Sequence, residues 1–259
     1  MVECIDPYAG FTFRGEPVVI DAAYQNDKLS CIGLDPGRYE SFIDPSFFIG
    51  FGIRAGAAAG ISAEGNINML SRIIQHRPLQ LGEPLTPCGE ISSVAPVPRG
   101  RRISTDAWFE SAGTGRAVSV PRESLKPDLS LEKRGAGERP PPVVDDVSSL
   151  QLLAEYTLTP EATCHYSTEG NAIHYEMEAA NKSGFRAPII GGGMGVHFLV
   201  DALWPPGGLR QLDLSIYFRR PIFWDDTFAV GVSTARDAIA LVKQGKVLTE
   251  ARINQLEVN

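Results

Sequence analysis

The chain has little that would tie it to a metal, a redox partner, a nucleic acid or a membrane. Only four cysteines occur in 259 residues (Cys4, Cys31, Cys88 and Cys164), widely scattered and with no paired spacing. That argues against a zinc or redox centre and against a disulfide framework, and the residues read as reduced thiols of a cytoplasmic protein. Four histidines are present, and His76, His165 and His197 stand at no metal-ligand spacing with a carboxylate, so no metal site is expected. No apolar run reaches membrane-spanning length, and Met1-Val2-Glu3-Cys4-Ile5-Asp6-Pro7 lacks the basic-then-apolar order of a signal peptide. Positive charge is also short: a net charge of -7 argues against nucleic acid or an anionic membrane as the main partner. Neither a serine-hydrolase elbow nor a dinucleotide fingerprint occurs, because Gly191-Gly192-Gly193-Met194-Gly195 has the wrong spacing for the latter.

What remains is the composition of a globular protein, 43% hydrophobic and 21% charged, long enough for one large domain or two ordinary ones. Residues 131–149 carry charge, glycine and Pro140-Pro141-Pro142 with no apolar face, which predicts an exposed linker. It divides the chain into an N-terminal unit, 1–130, and a C-terminal unit, 150–259. The two look weakly related. Arg77-Pro78-Leu79-Gln80-Leu81-Gly82-Glu83 resembles Arg220-Pro221-Ile222-Phe223-Trp224-Asp225-Asp226, each after an apolar, helix-like segment and before strand-like residues. Each unit then ends in a candidate hairpin, one turning at Ser111 to Gly115 and the other at Lys243 to Lys246. Each also holds one segment apolar over most of its circumference, Phe47 to Ile61 and Met194 to Trp204, as expected of a helix enclosed by other structure. An α+β fold follows: a curved antiparallel sheet around a buried helix, repeated twice. His165 and Tyr166 are expected on a strand.

Chemistry concentrates in Tyr166-Ser167-Thr168-Glu169-Gly170-Asn171-Ala172-Ile173-His174 and in Gly184-Phe185-Arg186-Ala187-Pro188-Ile189-Ile190-Gly191-Gly192-Gly193. Imidazole accepts and donates protons near neutral pH, so His174 is a candidate acid/base, with a plain loop hydrogen bond as the alternative. Asn171 could orient water or substrate, or bond its own backbone in an Asx-turn. The glycine run could open a helix whose free N–H groups bind a developing oxyanion, or could serve tight packing alone. His197 would need a buried partner on its helix.

These residues resemble the MaoC-like (R)-specific enoyl-CoA hydratases and dehydratases, a branch of the hot-dog fold. That family carries G-D-x-N-P-[LIV]-H-x-D, followed by an apolar P-[IL]-x-H-G element at its central helix. His174 falls on the family histidine, Asn171 on the asparagine and Ile173 on the apolar position, while Pro188-Ile189 and Gly192 match the later element. Glu169 stands for the catalytic aspartate, Ala172 for the proline and Gly191 for the second histidine. The resemblance implies a double hot-dog with a non-catalytic N-terminal unit, and a hydro-lyase acting on the 2,3-bond of an acyl thioester. His174, Glu169, Asn171 and the Gly192 or Gly193 amide would be catalytic. Lys182, Arg186, Arg219 and Arg220 would meet carrier phosphates, or else are charges on a solvated face. No cofactor is implied beyond the acyl-CoA or acyl-carrier substrate. Pairing into a homodimer of double hot-dogs stays open, and a hot-dog thioesterase or a degenerate acyl-binding subunit are the rival functions.

Overall fold

In a computed structural model the structure describes residues 4–62, 65–113, 115–128, 130 and 140–259. Along the first half run β1 (Thr12–Arg14), β2 (Val18–Val19), α1 (Ala22–Cys31), α2 (Phe47–Ala58), β3 (Ile67–Gln75), β4 (Pro84–Val97), β5 (Gly100–Ser111), β6 (Gly115–Ser119) and β7 (Arg122–Pro127). The second half follows with β8 (Leu150–Thr157), α3 (Pro160–Ser167), α4 (Met177–Lys182), α5 (Gly192–Leu203), β9 (Leu209–Phe218), β10 (Thr227–Ser233), β11 (Ala238–Lys243) and β12 (Lys246–Val258). Apart from the broken strands β1/β2 and β6/β7, the two halves share one order of strand, helices, central helix and antiparallel meander.

Both expected buried helices are present, as α2 and α5. Phe47, Phe48, Ile49, Gly52 and Gly56 of α2 are buried, as are all residues of α5 from Met194 to Asp201. Pro205-Pro206 follows α5 directly and cannot continue it. The strands form one continuous antiparallel sheet among the described residues, ordered β1-β4-β5-β6-β3-β9-β12-β11-β10-β8, with β2 beside β4 and β7 bridging β3 and β5. The two curved halves are therefore joined into a single sheet by β3 and β9, in register from Leu70 opposite Tyr217 to Gln75 opposite Leu212. Across this seam Arg72 Nε donates to Asp213 Oδ1 at 2.7 Å. One apolar core spans both halves, with Phe48 and Phe109 from the first continuous with Phe198, Leu214 and Phe228 from the second. The chain has a double hot-dog fold.

Both hairpins form. The second turns at Gln244 and Gly245 with φ of 49° and 69°, the left-handed pair that matches strand twist. In the first, Thr114 lies outside the described residues, and the return arm breaks between β6 and β7 at Val120 and Pro121, since proline cannot donate to the ladder.

Three expectations need correction. His165 and Tyr166 lie on helix α3, not on a strand: Thr159 accepts from Ala162 N, and Pro160 occupies the first turn, where its missing N–H costs nothing. The segments before Arg77 and Arg220 are strands β3 and β9 rather than helices. Of the linker, residues 131–139 lie outside the described residues. The rest is only partly exposed, because the Glu250 carboxylate accepts from Val143 N and Val144 N, and Val144 is buried.

Candidate active site

Helix α3 stops at Ser167, and Gly170 N bonds back to Ser167 O at 2.8 Å. The chain re-enters a single 3-10 turn, Ala172–His174, whose N-cap is Asn171. Asn171 Oδ1 accepts from Ile173 N at 3.3 Å, so its side-chain oxygen makes the Asx-turn bond. The turn aims His174 at the segment that leads into α5, and its Nδ1 donates to Ile189 O at 2.8 Å. A carbonyl can only accept, so this bond fixes the proton of the neutral ring on Nδ1 and leaves Nε2 bare. Burial pulls the His174 pKa below its ordinary 6.5, offset only in part by the Ile189 carbonyl, so the ring is neutral at pH 7.

The bare Nε2 faces the start of α5. A Cβ built on Gly191, the N-cap, would lie 3.7 Å from that nitrogen. Gly191 supplies no side-chain cap, and the amides of Gly192 and Gly193 have no acceptor among the described residues. Packing also demands glycine at one of these positions, Gly192. A Cβ on Gly192 would press on the Phe218 ring at 2.9 Å and stand 3.5 Å from Asn68 Nδ2, while one on Gly193 would lie 3.8 Å from Gly50 N of α2. Both readings of the glycine run therefore meet at Gly192: close packing clears the helix terminus there, and the uncapped amides beside His174 remain open to an anion.

Glu169 is held from the first half. Tyr24 Oη donates to its carboxylate at 2.9 Å, Lys28 Nζ stands at 3.2 Å and Arg54 at 3.3 Å. Burial works to raise its pKa, but Tyr24, Lys28 and Arg54 together hold it below the usual carboxylate value. Such a carboxylate is ionised and weakly basic. Lys28 is almost fully buried and also donates to His165 O and Tyr166 O, at 3.3 and 3.1 Å, so it pins the end of α3. Sequence reasoning missed Tyr24, Lys28, Arg54 and Asn68. Arg54 alone left a signal, as the one charged residue of an otherwise apolar helix.

His197 has the buried partner it needs. Its Nδ1 lies 2.7 Å from Asp44 Oδ2 and its Nε2 2.7 Å from Tyr166 Oη, with His197 and Asp44 fully buried. Tyr39 Oη also donates to Asp44, at 3.0 Å, and Asp44 Oδ1 accepts from Ser46 N at 2.8 Å. Burial raises the Tyr166 pKa well above 10, so the hydroxyl keeps its proton and donates to the imidazole. This chain ties the entry of α2 to α5 and α3, and it faces the interior.

The four expected phosphate contacts are not gathered in one place. Arg186 forks onto Asp225, at 3.0 and 2.7 Å, and lies over the Phe223 ring. Arg219 donates to Glu250 at 2.6 Å and to Pro140 O and Pro141 O, clasping the incoming chain. Arg220 donates to Val247 O, and Lys182 pairs with Glu178 one turn back on an exposed face. Lys182 is 75% exposed, and Arg219 only 17%. Among the described residues no three His, Cys, Asp or Glu side chains are placed to share a metal ion, and no helix is long and apolar enough to cross a membrane.

No protein-family model matches the sequence, and no curated protein matches it. Solved structures do match over nearly the whole chain. HtdX of Mycobacterium tuberculosis superposes with a TM-score of 0.73 at 19% identity, covering 93% of this chain and 98% of its own. A MaoC-like dehydratase from Phytophthora capsici gives 0.65 at 18% identity, covering 96% of each chain. A further Mycobacterium tuberculosis protein with a double hot-dog fold gives 0.60 at 15% identity, over 95% of this chain and 97% of its own. At such identities the likeness is one of fold.

Proposed function

We propose that the chain is a hydro-lyase that adds water to, or removes it from, the 2,3-bond of an acyl thioester. One observation carries this reading: the bare Nε2 of His174 faces the uncapped N-terminus of α5 across Gly191. The amide at Gly192 or Gly193 receives the thioester oxygen as negative charge develops, which in such sites is worth about 3 kcal/mol per donor. In the hydration direction, water oxygen bonds to C3 while His174 Nε2 takes its proton. The electron pair of the double bond passes to the thioester oxygen, and the imidazolium then returns the proton to C2. Glu169, ionised and restrained by Lys28 and Arg54, orients the water rather than abstracting a proton. Asn171 shapes the turn that aims His174. The reaction needs no cofactor, and the acyl group is carried on CoA or a carrier protein.

The test is incubation with a panel of enoyl- and 3-hydroxyacyl-CoA esters, read by mass spectrometry and by a thiol assay. Gain or loss of one water with the thioester intact is expected. Release of free thiol would instead make it a thioesterase, and binding without turnover a non-catalytic acyl-binding protein.

A further inference from the structure

The concave face of the first half carries polar groups where its neighbours carry core. Strand β7 lies between β3 and β5, with Arg122 opposite Ser71 and Thr105, and Ser124 opposite Asn68 and Ile103. Directly opposed residues share a face, and so do residues two apart on a strand. Asn68, Ser71, Thr105, Arg122 and Ser124 therefore form one contiguous patch. Ala107 and Ile73 continue the same face on β5 and β3 and belong to the apolar core, so the patch looks inward.

Ser71, Thr105 and Ser124 are 1%, 5% and 1% exposed, and Thr105 Oγ1, Ser124 Oγ and Asn68 Oδ1 have no hydrogen-bond partner among the described residues. Arg122 is half-buried and has neither an ion pair nor a hydrogen bond among the described residues. Burial draws its guanidinium down to about 10, which leaves it charged at neutral pH. The carboxylates that might have answered it are committed elsewhere. Glu123 alternates to the opposite face, toward Arg102, and Asp213 is bound by Arg72. An uncompensated cation among unpaired oxygens is a costly arrangement for a fold to keep.

The patch begins at the active site. Asn68 Nδ2 stands 3.5 Å from the Cβ position of Gly192 and donates to Ser71 Oγ at 3.1 Å. Ser71 is the neighbour of Arg122 across the β3–β7 ladder. From Asn68 the route runs three residues along β3 to Ser71 and one strand across to Arg122, so a thioester whose carbonyl sits on the Gly192 amide would find a guanidinium on the order of 10 Å from Asn68.

We infer that the acyl group is short and ends in a carboxylate, which Arg122 receives with Ser124 and Thr105 donating beside it. This inference rests on the acyl-thioester reading above and narrows its substrate to a dicarboxylic acyl thioester.

The test compares glutaryl-CoA with hexanoyl-CoA, two saturated esters of similar length that cannot be hydrated, by titration calorimetry. The wild-type protein should bind glutaryl-CoA at least about tenfold more tightly. Arg122→Met, of similar volume, should lose that preference while melting no lower than wild type, because an unpaired charge is removed. Arg122→Lys should retain part of it. Equal or tighter binding of hexanoyl-CoA by wild type, an unchanged ratio in Arg122→Met, or failure of both esters to bind would overturn the inference. Both ligands are inert, so a preserved preference with no hydration of any enoyl ester would sink the lyase reading alone.

Discussion

Helices α2 and α5 hold equivalent places, each entering the sheet just before the seam strand of its half, but their N-termini are finished in opposite ways. At α2 the chain itself fills the position: the N-cap residue Ser46 makes no side-chain cap, but its own amide donates to Asp44, which Tyr39 and His197 lock in place, and the amides of Phe47 and Phe48 bond to the Asp44 and Pro45 carbonyls. At α5 no side chain caps the first turn, and His174 stands beside it with one nitrogen bare. A helix terminus attracts anions in either case. The first half satisfies that attraction permanently with Asp44, and the second leaves it for a transient charge. One scaffold thus yields a structural anchor in one half and a candidate reaction centre in the other.

The largest effect that could break this contrast is at His174. His174→Ala should lower turnover of an enoyl thioester by about 1,000-fold with an unchanged melting temperature, and near-normal kcat would remove the reaction centre from the second half. Next comes Asp44→Ala, which leaves Tyr39 Oη, Ser46 N and His197 without their acceptor. It should cost about 3 kcal/mol of unfolding free energy by chemical denaturation, and a loss well under 1 kcal/mol would deny Asp44 its anchoring role. A sharper variant makes the second half imitate the first. Gly191→Asp would place a capping carboxylate at α5, gaining a few tenths of a kcal/mol in stability while lowering kcat on the order of 100-fold. If activity survived that change, the α5 amides would not be receiving the oxyanion.

The smallest effect is in pH. Because the folded His174 pKa lies below 6.5, the ring stays a base on acidification past that value, and the acid limb of kcat/KM should fall below pH 6.5. The same displacement means that unfolded chains bind this proton first. The His174 contribution to stability is therefore complete above 6.5 and is lost as pH falls through and below it. An acid limb above 6.5 would contradict the buried, neutral imidazole.

Local pattern carried much of this into the sequence. The apolar runs of α2 and α5, the Pro205-Pro206 stop and the Gln244-Gly245 turn each act within a few residues and were legible. The helix at His165 was also written locally, in Thr159-Pro160-Glu161, but the apolar and aromatic residues after it read as strand. What could not be read were contacts between distant parts of the chain. Lys28 and Arg54 reach Glu169 across more than a hundred residues, and Asn68 meets Gly192 only once β3 and α5 are packed. His197 reads as wanting a buried partner, and Asp44 supplies it from 153 residues away. Nothing in one dimension says that each answers the other.

The seam between β3 and β9 has a consequence for how the molecule comes apart. If either half opened, the other would be left with six residues of bare strand edge, Leu70 to Gln75 or Leu212 to Tyr217. Partial opening is thereby penalised twice, in lost ladder bonds and in a surface prone to sticking. The whole chain should melt as one cooperative unit, and either half expressed alone should aggregate through that exposed strand.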